Sequence, residues 1–287
     1  MNRSIAIAAL CALCLSACAL NNATTPATAG DKTTAMTGTT APNAEALVER
    51  AIEEQRLKQA GVQPSTKKAE ILLKWQRAVR DAPDLRARFP TGIPPVESPA
   101  GRALIADGMT RISPAKRSEF WSLYARVAAA HLPDDCYGQR SAAAISSRLM
   151  TFANLTDEDT DEYLGLIAGM LHASAQTSPQ HVPTAAEHTA ATIALGKLMM
   201  TEVKDKADAD RLAQVTVNPS GASVTDACWV MKASIRSIDR LPPNEKEIVL
   251  AGTSLQAAAA AASKLPRPSL PGPASAPVPA RPTARQL

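Results

Sequence analysis

The sequence lacks the patterns from which an activity is usually read. It has no GxSxG nucleophile elbow, no phosphate-cradling glycine loop and no dinucleotide fingerprint. HExxH is missing, and its four histidines (His131, His172, His181, His188) show no i,i+4 pairing, so no metal-ligand set is legible. His188 shares a predicted helix face with Leu195, a place for a core or boundary histidine. His172 and His181 flank a Ser/Pro loop that brings them near each other in sequence. Aromatic residues make up only 3% of the chain. In such a background Trp75, Trp121 and Trp229 are expected to anchor the core. Trp121, which lies off the Phe120/Tyr124 face, is expected to be the most exposed. No cofactor is implied, and no residue is assigned a catalytic role.

A strong charge of either sign is also missing. The net charge is +4. Arg3 supplies one of those charges and residues 264–287 supply four, which leaves the remainder at −1. A near-neutral body without a basic stripe cannot make clustered phosphate contacts, so nucleic acid is not an expected partner. The acidic run Asp157-Glu158-Asp159-Thr160-Asp161-Glu162 opens like a calcium loop. However, Glu162 stands where that loop needs glycine, and Ala168 stands where it needs its terminal glutamate. Carboxylates in a first helical turn are explained by the helix macrodipole. Two SxxK tetrads, Ser65 to Lys68 and Ser113 to Lys116, lack an accompanying KTG element. A lone acid such as Glu119 would need only a suitable environment to act.

The N-terminus has no run long enough to cross a bilayer. Ile5 to Leu15 is an uncharged, mostly apolar stretch of 11 residues. As a helix it falls well short of ~30 Å of hydrocarbon. A positive residue, a short apolar run and small residues together match an export signal. Cys11 and Cys14 lie within that run, where cysteine behaves as a small hydrophobe. The run ends in Leu15-Ser16-Ala17-Cys18, which resembles the lipobox of bacterial lipoproteins. The resemblance covers residues 1–18. It implies that residues 1–17 are a removed signal peptide, that Cys18 carries a diacylglycerol thioether, and that its new amino group is acylated. Two or more acyl chains give stable anchoring. In Gram-negative members of this class an aspartate after the cysteine favours the inner membrane. Ala19 occupies that place, so the resemblance implies an outer-membrane, periplasm-facing protein.

Two cysteines then remain, Cys136 in PDDCYG and Cys228 in TDACWV. In an oxidising compartment two such thiols are expected to form an intramolecular disulfide. A reactive thiol at a helix N-terminus is opposed by the neighbouring aspartates. Two buried, unpaired thiols are the other alternative.

Between the ends the chain reads as helices. Residues 18–42 form a lipidated, Ala/Thr-rich tether, too polar to fold on its own. Residues 264–287 hold seven prolines, four basic residues and no acid, an extended tail read either as a solvated end or as a docking segment for a partner groove or an anionic polymer. Residues 43–263 form an all-α periplasmic domain, an irregular bundle or an array of helical hairpins, with a hinge candidate at 90–99. Asn43 and Ser65 are read as N-caps, and Gly61 as a helix stop. Ser98-Pro99 and Ser113-Pro114 start helices, and Thr156/Asp159 and Thr184/Glu187 form capping boxes. A helix is expected near 135–153, one capped by Ser223, and one from about Asn244 into the alanines. Gln214 to Asn218 is the only strand-like piece. The echo between GMTRISPAKRSEFW (108–121) and SIDRLPPNEKEIVL (237–250) reads as helix-boundary grammar recurring.

An anchor at one end and a docking tail at the other suggest a non-catalytic adaptor in an envelope assembly. Its partners would be the membrane, through Cys18, and an envelope protein, through 264–287. The alternatives are a cell-wall-acting enzyme and an inhibitor or immunity-type binder.

Overall fold

Short helices joined by capped, nearly loopless turns follow from these boundary signals. The computed structural model describes residues 50–263, apart from 56, 59, 91, 92 and 94–97. The expected signal peptide, Cys18, the expected tether and tail, and most of the hinge candidate lie outside the described residues.

The described residues are all-α. The helical residues 50–55 and 57–58 are followed by the expected stop at Gly61, whose φ is +71°. Val62 N donates to Leu57 O and Gly61 N to Lys58 O, the paired bonds of a Schellman stop. Ten α-helices follow: α1 (Lys67–Asp81), α2 (Pro83–Arg88), α3 (Pro99–Arg111), α4 (Pro114–His131), α5 (Ala142–Leu149), α6 (Asp157–Ala175), α7 (Ala185–Met200), α8 (Lys206–Val217), α9 (Val224–Asp239) and α10 (Pro243–Ala262). Ser98, Ser113, Thr156, Thr184 and Ser223 cap α3, α4, α6, α7 and α9 through their hydroxyls, and both capping boxes are complete.

α3 lies between α6 and α10, its two most extensive partners. α1, α2 and α4 add to the α6 side, and α7 and α4 to the α10 side. α9 connects this body to α8 through contacts with α7, α4 and α8. One apolar cluster runs through all of it, from Leu57 to Leu250. The echoed segments are the α3–α4 and α9–α10 junctions. In each, a buried residue (Ile112, Leu241) is followed within two positions by the proline that opens the next helix.

Four local expectations are corrected. Ser65 does not cap α1: it adopts a left-handed φ of 66°, and Thr66 accepts from Ala69 N instead. The strand-like Gln214 to Asn218 is the last turn of α8 and its C-cap: Val215 is buried, Thr216 Oγ1 donates back to Leu212 O, and Asn218 N donates to Gln214 O. The 135–153 helix is interrupted. Cys136, Tyr137 and Gly138 are consecutive left-handed residues (φ 48°, 59° and 69°), and helix resumes only at α5. Trp121 is not the exposed tryptophan but 1% exposed, packed on Tyr124 at a ring separation of 5.6 Å.

Candidate functional site

The left-handed turn brings the two remaining cysteines together. The chain leaves α4 through Leu132 and doubles back, and Asp135 Oδ1 accepts from Tyr137 N. Tyr137 Oη reaches back 3.0 Å to the carbonyl of His131 at the end of α4. Left-handed geometry costs a non-glycine residue roughly 1–2 kcal/mol, so two such residues in succession need an outside constraint. Cys136 has one: it meets Cys228, in the second turn of α9, at a disulfide S–S distance of 2.08 Å and a Cα–Cα distance of 5.5 Å. Both cysteines are fully buried.

The linkage fastens the C-terminal end of α4 to α9. One turn further along α9, Lys232 Nζ reaches Asp134 Oδ1 at 2.7 Å and holds that carboxyl below its ordinary value. Beyond these ties the two helices enclose a groove of about 590 Å³. Its apolar surface comes from Ala125, Ala128, Ala129 and Leu132 on the α4 side and Ile235 on α9. Arg126, Lys232, Arg236 and Asp239 form its charged rim. Arg126 pairs with Asp159 at 2.7 Å and Glu162 at 2.8 Å on α6, and Asp159's hydrogen bond is the main cause of its raised pKa. Arg236 reaches Glu202 at 2.6 Å, and Asp239 pairs with Lys246. In these pairs Arg126, Arg236 and Asp239 are about half exposed while Asp159, Glu202 and Lys246 are mostly covered, and surface pairs of this kind contribute about 0–1 kcal/mol each.

A second polar cluster lies at the N-terminal end of α4. Arg117 is 1% exposed. It donates to the carbonyls of Met109, Thr110 and Ile112, where α3 ends, and to Glu247 Oε1 on α10. Burial lowers its pKa, and the Glu247 charge opposes that pull. His181 Nδ1 also meets Glu247 Oε1, at 2.9 Å, and His181 N donates to Thr110 O. Arg111 Nη1 fixes Ser178 O, and Ser174 Oγ donates to Asp107. These contacts close the 176–183 loop onto α3. They lock a helix end, with Glu247 Oε2 buried and without a hydrogen-bond partner among the described residues.

The other singled-out residues are spread over the surface. His172 meets Asp84 at 2.7 Å while His181 turns to Glu247, so the two do not converge. His188 packs against Gly252 at a helix crossing, and His131 ends α4. Glu119 is 46% exposed and pairs with Lys116 at 2.7 Å. In the acidic run Glu158 pairs with Lys67, Asp161 with Lys74, and Asp159 and Glu162 with Arg126. Lys68 Nζ bonds the Phe152 and Leu155 carbonyls and not Ser65. Trp75 Nε1 donates to Asp161, and Trp229 lies under Arg211 at 5.4 Å.

No family model matches the chain, and no curated protein or solved structure emerges as similar to it. Its reading therefore rests on its own residues.

Proposed function

We propose that the protein is a membrane-anchored periplasmic lipoprotein and a non-catalytic adaptor in a cell-envelope assembly, such as a secretion or surface apparatus. The observation that carries this reading is the approach of Cys136 to Cys228 at disulfide distance. Once the signal is removed and Cys18 lipidated, these are the only thiols of the chain, and a pair so placed suits an oxidising compartment. Acyl chains on Cys18 hold the protein at the outer membrane, and the tether carries the helical body away from it. Ala19 supports the outer over the inner membrane. The groove between α4 and α9 and the basic tail 264–287 offer two surfaces for a protein partner. Glu119, the residue on which a cell-wall-cleaving reading would rest, is 46% exposed and held by Lys116.

Two measurements test this. Mass spectrometry of the membrane fraction should find the chain starting at Cys18 and carrying acyl mass. Crosslinking in cells should trap one envelope protein, with the yield reduced when 264–287 is removed. An unmodified Cys18 still joined to Ala17, or no specific partner with either chain, overturns the proposal.

A further inference from the structure

α7 carries two apolar faces. Its inner face buries Ala191, Leu195 and Met199 against α10 and α9. A helix covered on one side only is expected to turn charge toward water on the other. Here the outer face presents Ala186, Ala190, Ile193, Lys197 and Met200, all exposed and spaced by three or four residues. Thr189, in the same row, donates its hydroxyl to Ala185 O, so it is satisfied within the helix. Ile193 and Met200 are 50% and 55% exposed. With Val182, two residues before the N-cap, they are three of the five large exposed hydrophobics among the described residues. Such side chains mean little when scattered singly, but a row of them marks an interaction surface.

The row also indicates what covers it. It is symmetric about Ile193: Ala186 and Met200 lie seven positions to either side, Ala190 and Gly196 three. A second copy turned end for end therefore brings its Met200 over the first copy's Ala186, large against small. The charges agree with that direction. Glu187 and Lys197 are the only carboxylate and the only ammonium group of α7. Lys197 has no ion pair among the described residues. Glu187 makes its capping box through Oε2, which leaves Oε1 outside the box. At about 3.6 residues per turn both fall on the same flank of the row. The antiparallel pairing sets each Lys197 within a turn of the other copy's Glu187. A parallel pairing would set Glu187 beside Glu187 and Lys197 beside Lys197.

We infer that the outer face of α7 is a dimerisation surface, on which a second copy of this chain packs antiparallel about a two-fold at Ile193. The row is roughly 21 Å long, a small interface, so the dimer is weak and reversible. The inference goes beyond the adaptor reading and does not depend on it.

The test uses the purified full chain in detergent, with one added cysteine per chain, oxidised and read on non-reducing gels. Ile193→Cys should link to itself about ten-fold faster than Ala213→Cys, an exposed position on α8. Ala186→Cys and Met200→Cys should link to each other when mixed and about ten-fold more slowly when alone, because like positions lie roughly 21 Å apart across the two-fold. Sedimentation of the parent should show a monomer–dimer equilibrium. Ile193→Glu should weaken the dimer more than ten-fold, while Ile193→Met should keep it. Lys197→Glu should weaken it about five-fold at low salt and less at high salt. Circular dichroism and the urea midpoint check that each variant is folded. A parent that is monomeric at every concentration overturns the inference, as does a dimer that survives Ile193→Glu. So does self-linking of Ala186→Cys or Met200→Cys as fast as the mixed pair, or equal linking of Ala213→Cys, which would mean only that chains share micelles. A dimer that forms only after 264–287 is removed would give the face to the tail and also overturn it. None of these outcomes bears on acylation of Cys18 or on crosslinking to an envelope protein, so the adaptor reading stands or falls separately.

Discussion

Arg117 shows how one residue can decide whether a helix junction holds. It closes the end of α3 through three carbonyls and ties α4 to α10 through Glu247. Removing one partner of a buried ion pair strands the other, at a cost of about 3–5 kcal/mol. Glu247→Ala should therefore lower stability by that amount in urea unfolding. Arg117→Met with Glu247→Leu should recover much of it, since no buried charge is left unpaired. A Glu247→Ala variant as stable as the parent would mean the pair contributes nothing. This lock was hidden in the sequence but left a trace. Arg117 lies three, seven and ten residues before Phe120, Tyr124 and Val127, so it occupies a core register position. A charge on an apolar face signals a buried partner, yet nothing local says that the partner sits 130 residues away. The disulfide was more legible, because only two cysteines stand outside the expected signal and lipobox.

At the scale of elements, boundaries were legible and crossings were not. Hydroxyl caps and N1 prolines act within one turn, so Ser98, Ser113, Thr156, Thr184 and Ser223 could be assigned without knowing what their helices touch. Gln214 to Asn218 was misread because β-branched residues favour strand only until burial and back-bonding hold them in a helix. The α3–α6 crossing depends on Gly108. A Cβ there would lie 2.0 Å from the Met170 carbonyl oxygen, a backbone atom that cannot step aside. Gly108→Ala should destabilise by about 1–3 kcal/mol in thermal or urea unfolding, although alanine is the better helix former. An unchanged or raised stability would show that the helices do not approach this closely. The junction of α1 with α6 predicts an acid response. Asp161 accepts from Lys74 and Trp75, and these bonds, Lys74's first, hold its carboxyl below the ordinary 3.8. A depressed carboxyl binds fewer protons folded than unfolded, so its contribution is present above about pH 4 and is lost as pH falls through the folded value. Asp161→Asn should remove part of the loss of stability between neutral and strongly acid pH. Identical acid profiles for the two chains would exclude this residue as a source.

For the whole molecule the decisive link is Cys136–Cys228, because it joins two regions that the chain order keeps 92 residues apart. α5, α6, α7 and α8 all lie between the two sulfurs. In the chain-entropy model a closed loop of that size restricts the unfolded ensemble enough to stabilise by about 4–5 kcal/mol. The link also sits where the groove begins, so it sets the spacing of α4 and α9 as well as the stability of the body. These roles separate experimentally. Cys136→Ser with Cys228→Ser should lower the urea midpoint by the equivalent of about 4–5 kcal/mol. Because the continuous apolar cluster remains, helical content at low denaturant should be kept. Both sulfurs are fully buried, so an added dithiol reaches them only through opening. Reduction of the parent chain should therefore be slow in buffer and should accelerate in step with unfolding as urea is raised. Rapid reduction of the native chain, or equal midpoints for parent and double variant, would show that the link is peripheral and that α4 and α9 are held together by packing alone.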